Sequence, residues 1–134
     1  MNIADRVRSG YEIFNRRDWD AVARGLPDDF EAIDHVAVDE RRARGPYALR
    51  EITNAAGDSA FANLKMEALQ IEVVSHEDSE VQAVVRVGAS ASGGRSGAPV
   101  SSEVGQIWTY EAGVPKRFEQ FRTWEDACRA AGLE

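Results

Sequence analysis

Between Leu64 and Val73 an alternating apolar pattern slips by one residue, and this slip constrains the fold more than any other feature of the chain. Leu64 and Met66 alternate with Lys65 and Glu67, whereas Leu69, Ile71 and Val73 alternate with Gln70 and Glu72. In a strand the side-chain period is two, so a slip turns all later side chains to the other face unless a β-bulge absorbs the extra residue. Bulges bend strands, and the spacing therefore predicts a curved sheet. Further strands are expected at Val81–Ala89, Val100–Tyr110 and Pro115–Arg122, with turns at Ser75–Glu80 and Glu111–Gly113. The segment Ser90–Pro99, with Gly93, Gly94 and Gly97, has strands on both sides. It is expected to be a mobile hairpin end rather than a domain linker.

The first sixty residues read differently. Ile3, Val7, Tyr11 and Phe14 recur at helical spacing, with Asn2 as N-cap and Gly10 as an interruption against which a large neighbour is expected to pack. Asp18 caps a short second helix carrying Trp19, Val22 and Ala23, which Gly25 and Pro27 stop. Phe30 to Val38 is a strand, with Phe30, Ala32 and Asp34 on one face and Glu31, Ile33 and His35 on the other. Asp39–Gly45 reads as a charged loop, and Pro46 opens a third helix with the stripe Leu49, Ile52 and Ala56. Thr123 caps a last helix from Trp124 to Ala131, closed by Gly132.

Three helices followed by long antiparallel strands make an α+β plan in one domain, residues 1–134. With 43% hydrophobic residues, a flat sheet would leave one apolar face wet. The sheet should instead curl around the N-terminal helices, and the open end of the resulting cone is where a ligand pocket would form.

Composition excludes several function classes. Twenty-three acidic against 16 basic residues, a net charge of -7, argue against nucleic-acid binding, which needs a basic face. No apolar run approaches the roughly 20 residues that cross a bilayer, and the first residues lack the pattern of a signal peptide. Membrane and nucleic-acid partners are not expected, and the expected location is cytoplasmic. One cysteine, Cys128, and two histidines make a structural zinc site improbable. Cys128 reads as a packing residue.

Several segments together resemble one family. Tyr11-Glu12-Ile13-Phe14-Asn15-Arg16-Arg17-Asp18-Trp19-Asp20, Pro27-Asp28-Asp29-Phe30 with Ile33-Asp34-His35, and Gly45-Pro46-Tyr47-Ala48-Leu49-Arg50 are similar to the helix-turn-helix, first strand and third helix of SnoaL-like, nuclear transport factor 2-like proteins. Ile107 to Gly113, Phe118-Glu119-Gln120-Phe121 and Ala127 to Leu133 resemble their closing hairpin and helix. The resemblance implies a conical α+β barrel, with helices in the concave face of a strongly curved, mostly antiparallel sheet, often dimeric. That family includes polyketide cyclases, ketosteroid isomerases and non-catalytic members, so fold alone does not fix function.

Asp34 is the leading candidate for chemistry. It shares a face with Phe30 and Ala32, and an apolar setting strengthens a carboxylate as a base. The resemblance sets it where the isomerases carry their proton-abstracting aspartate. Where they use a tyrosine and a protonated aspartate as oxygen donors, this chain has Gly10 (with Tyr11 next to it) and Gln106. Gln106 is therefore expected to orient a substrate oxygen. Tyr11, Phe14, Trp19, Phe30, Val85, Val87, Trp108, Phe118 and Gln120 are the expected pocket lining, although the pattern of the last strand permits either phase. His35 is expected on the opposite face from Asp34, and Arg41, Arg42 and Arg44 on a solvated loop.

Two readings follow. One is a cofactor-free cyclase or isomerase that moves a proton on a small, apolar, carbonyl-bearing substrate, needing neither metal nor organic cofactor. The other is a non-catalytic dimer whose pocket binds a hydrophobic ligand, or is filled by Trp108, Phe61 and Phe118. A homodimer through the convex sheet face is expected in both, because Val84 beside Val85 and Ile107 beside Trp108 give apolar residues on both faces.

Overall fold

The computed structural model describes residues 2–36, 39–55, 65–93 and 98–133. Two helices come first, α1 (Ile3–Asn15) and α2 (Trp19–Arg24), followed by strands β1 (Glu31–Asp34) and β2 (Arg41–Arg44) and helix α3 (Ala48–Ala55). Four longer strands complete the sheet: β3 (Lys65–Ser75), β4 (Glu80–Gly93), β5 (Ala98–Glu111) and β6 (Val114–Phe121). Helix α4 (Trp124–Ala131) closes the described chain. The capping residues act as their chemistry predicts. Asn2, Asp18 and Thr123 each accept a backbone N–H three residues on, and Gly132 takes the left-handed conformation after α4.

The six strands run in the order β2-β1-β6-β5-β4-β3. Among the described residues only the β1–β6 pair is parallel; the others are antiparallel. The phase slip in β3 is a break in register between Ala68 and Gln70, which leaves Leu69 as the extra residue. The bulge lets Met66, Ala68 and Ile71 all pack against the core beneath α1. The α+β architecture with a curved, mostly antiparallel sheet is therefore the observed one.

Three expectations about the elements need correction. Arg41–Arg44 is not a loop but a short edge strand; charged side chains suit an edge, and Ala43 is the one member that packs inward. β1 ends at Asp34 rather than Val38, because Asp34 Oδ1 accepts the Val36 N–H at 2.9 Å and turns the chain. β4 and β5 extend into the glycine-rich segment, to Gly93 and from Ala98, while residues 94–97 lie outside the described residues. Ala56, Phe61 and Leu64 lie outside them as well.

The concave face carries two apolar clusters. Val7 and Tyr11 of α1 pack on Ala83, Val85, Val87 and Tyr110, while Leu49 and Ile52 of α3 pack on Phe30, Ala32 and Phe118. Trp108 touches both clusters. On the convex face α4 sets Ala127 and Ala131 against Val84 and Ile107. The two-sided apolar pattern at Val84 and Ile107 is thus satisfied within one chain, where both are almost fully buried.

That packing depends on Gly105. A Cβ there would overlap the Thr123 carbonyl oxygen and lie 2.7 Å from the Ala127 Cβ. Gly10 is the reverse case. A Cβ at Gly10 would meet nothing within 4 Å, so no large neighbour packs there; the residue borders open space.

Candidate functional site

The open space beside Gly10 belongs to a cavity of about 360 Å³ between α1, α2, α3 and the concave faces of β1, β5 and β6. Pockets for small molecules run from roughly 300 to 1,000 Å³. Of the residues expected to line it, Tyr11, Phe14, Trp108, Phe118 and Gln120 do so, together with Asp34 and Gln106. Four others do not. Phe30, Val85 and Val87 are fully buried in the clusters beneath the helices, and Trp19 packs edge-to-face on Phe14, with ring centroids 5.5 Å apart. These four act as core.

Strand register assembles the polar end of the cavity. Asp34 on β1 lies opposite Gln120 on β6, and Gln120 lies opposite Gln106 on β5. One row of the sheet therefore carries a carboxylate and two amides on the concave face. The next row, Ala32, Phe118 and Trp108, is apolar.

A directed chain of hydrogen bonds orients the two amides. Trp108 Nε1–H can only donate, and it donates to the Tyr11 hydroxyl at 3.2 Å. The Tyr11 O–H then donates to Gln106 Oε1. With its oxygen held there, Gln106 turns its NH2 to Gln120 Oε1 at 2.9 Å and to Met66 Sδ at 3.6 Å. Gln120, with its oxygen occupied, is left with an NH2 that has no partner among the described residues. Gln106 is 0% exposed, and both of its amide hydrogens are directed at protein atoms. It orients Gln120 rather than presenting a free donor of its own.

Asp34 is 3% exposed. Its Oδ1 holds the Val36 N–H, and its Oδ2 has no hydrogen-bond or ion-pair partner among the described residues. Arg41 lies opposite it in the β1–β2 register, but is exposed and forms no ion pair with it. Burial pushes the Tyr11 phenol well above the ordinary tyrosine value, which keeps it a neutral donor.

His35 faces the other way, as its sequence position predicts. It is held by Glu40 at 2.7 Å and Glu119 at 2.9 Å and stacks on Phe121, outside the cavity. Among the described residues no group of three His, Cys, Asp or Glu side chains is placed to hold a metal.

Sequence reasoning missed a second stripe of α1. Arg6, Ser9, Gly10 and Ile13 line the cavity beside the Val7–Tyr11–Phe14 face. Their signal was the pair Ser9-Gly10, small residues where a large one would fill the space.

The chain matches the SnoaL-like domain over residues 7–116. It belongs to the SnoaL-like family. Solved structures agree with that family's fold. A candidate polyketide cyclase from Sinorhizobium meliloti is 26% identical, with a TM-score of 0.59 over 87% of this chain and 93% of that one. A cystatin-fold protein from Novosphingobium aromaticivorans, 17% identical, has a TM-score of 0.68 over 91% and 99%. TerC, crystallised with polyporic acid, is 15% identical, with a TM-score of 0.63 over 92% of each chain. No curated protein matches the sequence. As a SnoaL-like protein, the chain keeps the family's curved sheet and combines it with an apolar cavity that ends in Asp34 and two glutamines. No helix among the described residues is long and apolar enough to cross a membrane.

Proposed function

We propose that this SnoaL-like protein binds a small, apolar, carbonyl-bearing molecule in its cavity and catalyses proton transfer on it without a cofactor. The observation that carries the reading is the pair formed by Asp34 Oδ2 and the Gln120 NH2. Both are unpartnered among the described residues, and both line one end of the same cavity.

The chemistry follows from the pair. Asp34 Oδ2 removes a proton from the carbon beside a carbonyl, and the Gln120 N–H donates to the oxygen as charge develops on it. The Asp34 proton then returns to a different carbon, which is an isomerisation. Alternatively, the enolate carbon attacks a second carbonyl of the same molecule and the proton passes to the new alkoxide, which is a cyclisation. Tyr11 and Gln106 are positioning residues that hold Gln120. The likeness to a candidate polyketide cyclase supports a substrate of this type.

One observation favours the non-catalytic alternative: Asp34 already has a structural duty at the Val36 turn. Deuterium uptake at the α-carbons of 2-tetralone in D2O separates the two readings. Asp34-dependent uptake supports the enzyme; binding without uptake supports a ligand-binding protein.

A homodimer through the convex face belongs to the same proposal, as does a cytoplasmic location. With Val84 and Ile107 covered by α4, support for the dimer rests on exposed apolar side chains such as Leu69. Light scattering at micromolar concentration tests it, and a monomer would contradict it.

A further inference from the structure

Among the described residues lining the cavity, Arg6 and Asp34 are the only charged ones. Asp34 lies in the sheet row of Gln120 and Gln106. The Arg6 guanidinium lies over the Tyr110 ring at 4.9 Å, and its Nη1 donates to the Gly113 carbonyl at 2.8 Å. Tyr110 is four residues along β5 from Gln106, a separation of roughly 13 Å at the strand rise.

Arg6 of α1 differs from three arginines of the sheet. Arg42, Arg86 and Arg117 each pair with a carboxylate. Among the described residues no carboxylate lies within ion-pairing distance of Arg6. The ring of Tyr110 and the carbonyl of Gly113 hold its position and leave its charge uncompensated. Its other N–H groups remain available, and a planar guanidinium takes a carboxylate through two parallel hydrogen bonds.

We infer that the ligand of this cavity is a bipolar molecule, with a carboxylate read by Arg6 at one end and a neutral carbonyl or hydroxyl at the Asp34–Gln120 end. An apolar body on the order of 10 Å long joins the two, set by the strand rise between the rows. The reverse orientation would bring the anion against the Asp34 carboxylate and leave Arg6 facing an apolar or neutral group, so charge selects one orientation. The inference rests on the cavity being a small-molecule site and adds the class of molecule that it selects.

The test compares 6-hydroxy-2-naphthoic acid, a rigid two-ring acid with a hydroxyl at the far end, with its methyl ester. Isothermal titration of the full chain measures both. The acid is expected to bind at least tenfold more tightly than the ester, and this preference should shrink to within threefold in Arg6→Met, whose apolar stem can still cover Tyr110. Equal binding of acid and ester by the unaltered chain overturns the inference, and so does a preference that survives in Arg6→Met. Either result leaves the apolar-ligand reading of the cavity intact. Failure of both compounds to bind overturns the inference together with the reading beneath it. The comparison in the unaltered chain needs no variant, so an Arg6→Met protein that fails to fold does not block the test.

Discussion

Trp108 Nε1 donates to the Tyr11 hydroxyl, the Tyr11 O–H donates to Gln106 Oε1, and the Gln106 NH2 donates in turn to Gln120 Oε1. A buried aromatic pair thereby determines which way a glutamine amide faces two strands from the sheet edge. The phenol is the hinge of the arrangement, since it both accepts and donates.

Tyr11→Phe should therefore be costly despite its small change in volume. It leaves Trp108 Nε1 and Gln106 Oε1 without their partner in a buried setting, a loss of about 1–3 kcal/mol. Urea denaturation measures it. A change below a few tenths of a kcal/mol would mean that water or a rotated Gln106 replaces the hydroxyl.

The alkaline limb of stability should report the same residue. Burial raises both Tyr11 and Tyr110 above the ordinary value of 10.0, so folding favours the neutral phenol. Their contribution is fully present below pH 10 and is lost as pH rises through 10 towards the folded values. Each such group adds about 1.4 kcal/mol per pH unit to the slope. Stability should be level with respect to these groups from pH 8 to 9 and fall above 10, and Tyr11→Phe should fall less steeply. Denaturant titrations across that range decide the point.

Gly105→Ala should damage the convex side of the sheet while leaving the cavity's residues untouched. The new methyl would overlap the Thr123 carbonyl, which is already the acceptor for the Ala127 N–H at the start of α4. The helix must lift, at a cost of about 1–3 kcal/mol typical of overpacking. Unchanged stability would mean that α4 is not seated on Gly105 in solution.

Asp34 has two duties that substitution can separate. Asparagine keeps an oxygen for the Val36 N–H, whereas alanine removes it. Asp34→Asn should stay within about 1 kcal/mol of the parent, and Asp34→Ala should lose about 1 kcal/mol more, the worth of an ordinary hydrogen bond. Equal stabilities would remove the turn from the account.

Much of this fold was legible because its signals are local. Asn2, Asp18 and Thr123 announce helix starts, and the slip at Leu69 announces the bulge that curves the sheet. The candidate site was legible only in part. Asp34 could be assigned a face from Phe30 and Ala32, but the phase of β6 stayed open. Gln120 meets Asp34 only through the parallel β1–β6 pairing, a contact between residues 86 positions apart with no local signature. β2 was hidden because three of its four residues are arginines. Arg6 was hidden because a cation beside an apolar helical stripe reads as solvated until the fold shows that the cavity lies on that side.

The central claim is that Asp34 and Gln120 act on one reacting group, and a double-mutant cycle on α-deuteration of 2-tetralone tests it most directly. Removing a general base typically costs about 10²- to 10⁴-fold in rate. Asp34→Asn should fall into that range with its fold intact, and Gln120→Leu should lower the rate by at least tenfold. The double variant should be little slower than Asp34→Asn alone, because a donor to the enolate oxygen has nothing to stabilise once the base is gone. Parent-level exchange in Asp34→Asn, or losses that multiply across the pair, would contradict the account.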